Sequence, residues 1–170
     1  MKATKFFAIA IALTAISTVA NAQNQTTSTN GTAGANIVTP IAIEQTRGIQ
    51  FGTIAPGTAA GTVTLTSVEN TVVTSSGVSL LANTATRTSG LFNISGAANQ
   101  TFKIVMDETV TLNSGANSMT ANLTKNLANS GNALGASGAA QLIVGGTLNV
   151  AAGQATGAYA GTYNVTVSYE

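Results

Sequence analysis

Cysteine, histidine and tryptophan are all absent from this chain, and proline occurs only at Pro40 and Pro56. Without cysteine there is no disulfide to close a loop and no thiol nucleophile. Without histidine no Ser–His–Asp relay can be assembled, however many serines are present, and no motif of the Ser–Lys variant occurs. Zinc and copper lose their preferred nitrogen and sulfur ligands together. Charge is also scarce, with six Lys and Arg against five Asp and Glu in 170 residues. So thin and balanced a distribution gives no basic footprint for nucleic acid and no polybasic segment for an anionic membrane. The one acidic pair, Asp107-Glu108, cannot flank a glycosidic bond from a strand, because adjacent side chains point to opposite faces. In a loop it would need several more oxygen ligands to hold calcium, which the sequence leaves open. The absences argue against an enzyme and supply no cofactor site.

What is present begins with an export address. Lys2 and Lys5 precede the apolar run FFAIAIALTAI, and ANA before Gln23 has the small-x-small form of a cleavage site. The run is shorter than the ~20 apolar residues of a membrane span. The expectation is a signal peptide over residues 1–22 and a mature chain without a membrane span in the periplasm, on the cell surface or secreted. Beyond residue 22, Arg47, Arg87, Lys103 and Lys125 stand against five carboxylates, a net charge of −1. Residues 23–35 are polar and aperiodic and read as a flexible leader. Residues 36–170 are of a length that suits one domain.

That domain is written in short alternating runs. NIVTPIAIE sets Ile37, Ile41 and Ile43 on one face, and GTVTLTS sets Val63 and Leu65 against threonines. NTVVTS, GVSLL, LFNIS, TFKIVM, TVTLN, SMTANLT and AAQLIVGGTLNV follow, separated by Gly, Asn, Ser and Ala clusters. The stretch 125–140 reads as a surface loop, and Gly145-Gly146 as a bulge or a close strand approach. The clearest strand is the last: Tyr163, Val165, Val167 and Tyr169 alternate with Asn164, Thr166 and Ser168. No helix of credible length follows the signal segment. The pattern predicts an all-β, antiparallel, immunoglobulin-like β-sandwich.

Several stretches carry a family resemblance: IVTPIAI, GIQFGTIAPGTAAGTVTL, FNISGAANQTFKIVM and VGGTLNVAAGQATGAYAGTYNVTVSY. With Phe51-Gly52, Pro56-Gly57, Gly61-Thr62-Val63 and Gly157-x-Tyr159-x-Gly161, the chain resembles the bacterial exported proteins grouped as domain of unknown function 4402. The resemblance implies a Gram-negative, pilin-like sandwich and no reaction. The last strand is also similar to that of pilus subunits assembled by the chaperone–usher route. Those subunits carry a next-to-last aromatic residue, here Tyr169, after alternating apolar residues, here Tyr163, Val165 and Val167, with a glycine upstream, here Gly157. That similarity implies a periplasmic chaperone and like subunits as partners, by strand addition. The chain departs from it in its polar leader and in lacking the cysteine pair common in such subunits.

The expected function is an exported, non-enzymatic structural or adhesive surface subunit that assembles by strand pairing. Gly157, Tyr159, Tyr163, Val165, Val167 and Tyr169 are its candidate pairing residues. Ile37, Ile41 and Ile43 belong either to a donated strand or to the domain's own first strand. The alternative is a monomeric periplasmic or secreted module that binds a glycan or a protein, with Tyr163 and Tyr169 stacking on sugar rather than packing in the core.

Overall fold

The computed structural model describes residues 26–68, 72–74, 77–81 and 86–170, with the main chain alone for 72–74. The expected signal peptide, with its helix, lies outside the described residues. Residues 26–35, at the end of the first of two compact units, have no regular structure and are exposed. The second unit, Asn36–Glu170, holds all the strands among the described residues.

Among the described residues there are twelve strands and no helix. They are β1 (Ala42–Arg47), β2 (Ile54–Pro56), β3 (Gly61–Leu65), β4 (Val72–Thr74), β5 (Val78–Leu80) and β6 (Gly90–Ser95). There follow β7 (Thr101–Met106), β8 (Thr109–Ser114), β9 (Asn117–Lys125), β10 (Asn132–Ala133), β11 (Ala139–Val150) and β12 (Val165–Tyr169). All pairings are antiparallel. One sheet of seven strands runs β1-β6-β11-β3-β4, with β9 and then β8 added through β11. A second sheet runs β10-β7-β12, and β2 pairs with β5. The chain is thus the expected all-β, antiparallel sandwich.

The alternation read in the sequence sets the faces. In β3, Val63 and Leu65 are fully buried while Thr62 and Thr64 point outward, Thr64 Oγ1 lying 2.8 Å from Thr147 Oγ1 on β11. In β7, Phe102 and Ile104 enter the core and Thr101, Lys103 and Val105 face water. Leu142, Val144 and Leu148 of β11 and Ile94 of β6 complete the same cluster. Each such side chain, once out of water, contributes about 1.5–3 kcal/mol.

β11 organises the larger sheet. Val144 registers with both Gly90 of β6 and Lys125 of β9, and Gly146, Thr147 and Leu148 register with both β3 and β9. A residue with two ladder partners has them on opposite edges. β9 therefore holds one edge, while the other passes from β6 to β3 at Gly145-Gly146. The close-approach reading of that glycine pair holds, since a Cβ on Gly145 would strike the main chain of Leu65, Thr66 and Ser67. At the same seam Ser89, 1% exposed, donates from Oγ to the Thr66 carbonyl at 2.7 Å.

Two local expectations change. The stretch 125–140 contains β10 and delivers Leu134, 2% exposed, into the core, so it is not wholly a surface loop. Just after β1, Gln50 forms an isolated bridge with Thr88. The first strand itself begins at Ala42 rather than at Asn36, just beyond Pro40, whose ring nitrogen cannot donate to a ladder.

Candidate functional site

β12 is an edge strand. Its only ladder among the described residues is with β7, from Val165 opposite Met106 to Tyr169 opposite Phe102. Just outside the strand, Asp107 N donates to Asn164 O at 3.1 Å and Glu170 N to Thr101 O at 3.2 Å. These bonds fix the phase. In an antiparallel pair, hydrogen-bonded and non-bonded positions alternate. Asn164, Thr166, Ser168 and Glu170 therefore bond toward β7, and the main-chain groups of Val165, Val167 and Tyr169 point the other way, along the outer edge.

Their side chains point inward, because alternation along the strand is independent of which edge the main chain serves. Tyr163, Val165, Val167 and Tyr169 all pack against the core. The Tyr163 ring meets Phe92 edge-on, with centroids 6.2 Å apart and planes at 75°. Its hydroxyl is buried without a hydrogen-bond partner, and that burial pushes its pKa up from 10.0 to about 12. The Tyr169 hydroxyl donates to Thr39 O at 2.6 Å and accepts from Ala97 N at 2.7 Å. It thus joins the last strand to the turn after β6 and to the segment leading into β1. Gly96 permits this, because a Cβ there would strike the same hydroxyl.

The other end of β12 is tied by Asp107 of the acidic pair. Asp107 Oδ2 accepts from Asn164 N at 2.8 Å and from Asn164 Nδ2 at 3.1 Å. Asp107, exposed just past the end of β7, is thus also the clamp at the start of β12. The adjacency of Asp107 to the end of an alternating run was the available signal, but its partner is 57 positions away. No group of three or more metal-ligating side chains lies together among the described residues.

Beside the open edge lies a groove of about 420 Å³ lined by Ile43, Gln45, Phe92, Gly161, Thr162, Tyr163, Asn164 and Val165. It carries apolar surface and no charged side chain. Ile41 and Ile43 are half-buried against the core, with Ile43 in β1 opposite Ile94 of β6, so the chain supplies its own first strand from Ala42 onward. Ile37 is 95% exposed and outside any strand. Among the described residues β1 also registers with one neighbour only.

Gly157 and Tyr159 lie elsewhere. A Cβ on Gly157 would strike Ser114, and one on Gly161 would strike the Thr111 carbonyl, so both glycines seat their loop directly on β8. Tyr159 donates to Ala155 O at 2.8 Å within that loop. The structure therefore brings together four of the six candidate pairing residues and leaves these two apart. Their spacing copies a strand's period, but the loop's bonds are to itself, to β8 and, from Gln154, to β9.

No helix among the described residues is long and apolar enough to cross a membrane. Residues 41–169 match the family described as Domain of unknown function (DUF4402). The match covers most of the chain, and the chain belongs to that family. No curated protein and no solved structure matches it.

Proposed function

We propose that this member of the DUF4402 family is an exported, non-enzymatic structural or adhesive subunit of the bacterial surface, fimbria-like in assembling through strand pairing at β12. The observation that carries the reading is the outer edge of β12, where Val165, Val167 and Tyr169 direct their N–H and C=O groups away from β7. An extended segment laid along that edge gains main-chain hydrogen bonds of about 0.5–1.5 kcal/mol net each. At the start of β12 the adjoining groove supplies apolar contact from Ile43, Phe92, Tyr163 and Val165. An edge that is neither charged nor interrupted by proline lacks the usual protection against such addition. In this reading a periplasmic chaperone covers the edge during export and a like subunit covers it afterwards.

The test uses Val167→Pro. Position 167 makes no ladder bond to β7, so proline there removes a donor only from the outer edge. The variant should accumulate as folded monomer and give no heat- and SDS-resistant ladders in the source bacterium, where the unsubstituted chain gives them. Deleting Val165–Glu170 should abolish accumulation altogether. Normal surface structures built from Val167→Pro, or an unsubstituted protein that never leaves the monomer, contradict the proposal. The groove lacks charge, so assembly should also be insensitive to salt between low and physiological ionic strength.

A further inference from the structure

A second cavity, sharing only Gly161 with the groove beside β12, has a volume of about 600 Å³. Its floor is the buried Phe51, Leu148 and Val150, and one wall is the half-buried Leu112 of β8 and Met119 of β9. Segment Ile49–Ile54 closes one side and the loop Gln154–Gly161 the other. We propose that this cleft is a binding site for a small, uncharged, largely apolar molecule.

The cleft follows from the unequal sheets. The seven-stranded sheet has more strands than the three-stranded one, and near Leu112 and Met119 its inner face is flanked by β2 and the 154–161 loop. The loop is braced rather than collapsed into the space. Asn113 and Ala160 exchange two main-chain hydrogen bonds, of 2.8 and 3.1 Å. Gln154 Nε2 donates to Ser118 O at 3.3 Å and to the Tyr159 hydroxyl at 2.9 Å. Gly157 and Gly161 already sit as close to β8 as main chain allows. The loop is therefore held by main-chain contacts with β8 together with the Gln154 and Tyr159 side chains.

The lining selects the ligand. No residue lining the cleft is ionisable except Tyr159, whose hydroxyl is hydrogen-bonded, while Arg87 packs behind Gly52 and donates to the Leu81 carbonyl. A carboxylate, phosphate or ammonium would be desolvated there with no counter-charge in the lining. An apolar body would remove water from Leu112 and Met119, and Gln50, Gln154 and Thr156 offer neutral hydrogen-bonding groups for one polar tip. The volume lies within the ordinary range of small-molecule sites.

The test is a pair of titrations of the full mature chain. The probes are the uncharged N-phenylnaphthylamine and the anionic anilinonaphthalene sulfonate, which share an aromatic body. The uncharged probe should bind saturably at one site, at least about tenfold tighter than the sulfonate. On its addition the Met119 methyl resonance should move and that of Met106, outside the cleft, should stay. Ala158→Trp and Ala155→Trp, on the exposed loop, should each weaken the uncharged probe about tenfold while leaving the melting temperature in place. Absence of saturable binding, equal affinity for the two probes, or a shift at Met106 without one at Met119 overturns the proposal whether or not the tryptophan variants fold.

Discussion

Leu142, Val144, Leu148 and Val150 of β11 and Val165, Val167 and Tyr169 of β12 alternate inward in the same way, yet the two strands end in different company. β11 is flanked on both edges at Val144 and from Gly146 to Leu148, and its inward residues are almost wholly buried. β12 has one partner, and its inward residues are only half-buried. The difference lies in the backbone demands of the neighbours rather than in apolar content. Gly145 lets β3 close on β11, and no described strand pairs with the outer edge of β12. The first strand is finished by the fold, and we take the second to be finished by assembly.

Substitutions that act on one strand and spare the other sharpen this contrast. The largest effect is expected at Gly145→Val, where the new side chain meets the main chain of Leu65 to Ser67. The loss should exceed about 3 kcal/mol, enough to leave little native protein in a thermal melt followed by circular dichroism. Tyr169→Phe removes a donor to Thr39 and an acceptor for Ala97, and should cost about 1–3 kcal/mol in urea unfolding. If it costs nothing, Tyr169 is not the pin that holds β12 in place.

A proline pair probes the edge directly. Thr166→Pro deletes a bond to β7 and Val167→Pro does not, so Thr166→Pro should be less stable by about 0.5–1.5 kcal/mol, one ladder bond. Equal losses would mean that both edges of β12 are engaged.

The smallest change is expected at Tyr163→Phe, which removes a buried hydroxyl without a partner and should be neutral or slightly stabilising in the same urea series. Its signature is in pH. The Tyr163 hydroxyl is raised from 10.0 to about 12 by burial, so the folded state holds this proton more tightly than the unfolded state does. Stability is therefore intact below about pH 10 and falls as pH rises toward 12. Tyr163→Phe should flatten that part of the alkaline decline. An unchanged alkaline limb would show that the ring opens to solvent.

Local periodicity made most of the strands legible, because side-chain direction depends only on the residue's own place in the pleat. Val63, Leu65, Phe102, Ile104 and Leu142 could be placed in the core on that ground alone. Leu134 could not, since it sits among glycine, serine and asparagine without a repeating neighbour, and only the turn at Gly135–Gly138 carries it inward. The glycine pair in β11 announced a close approach, but not that it passes an edge from β6 to β3. At the candidate site, the inward face of β12 was readable from Tyr163 to Tyr169. The open edge was not, because it depends on which strands lie beside β7, and the pin from Tyr169 to Thr39 spans 130 positions. Gly157 and Tyr159 misled for a related reason. Their spacing imitates a strand, while the close contact with β8 that fixes them leaves no trace in period.

Residue-resolved amide hydrogen exchange along β12 of the isolated monomer tests the central claim most directly. The account predicts alternation, with the N–H groups of Thr166, Ser168 and Glu170 protected by β7 and those of Val165, Val167 and Tyr169 exchanging freely. Uniform protection from Val165 to Glu170 would mean that the outer edge is already occupied, and would contradict it.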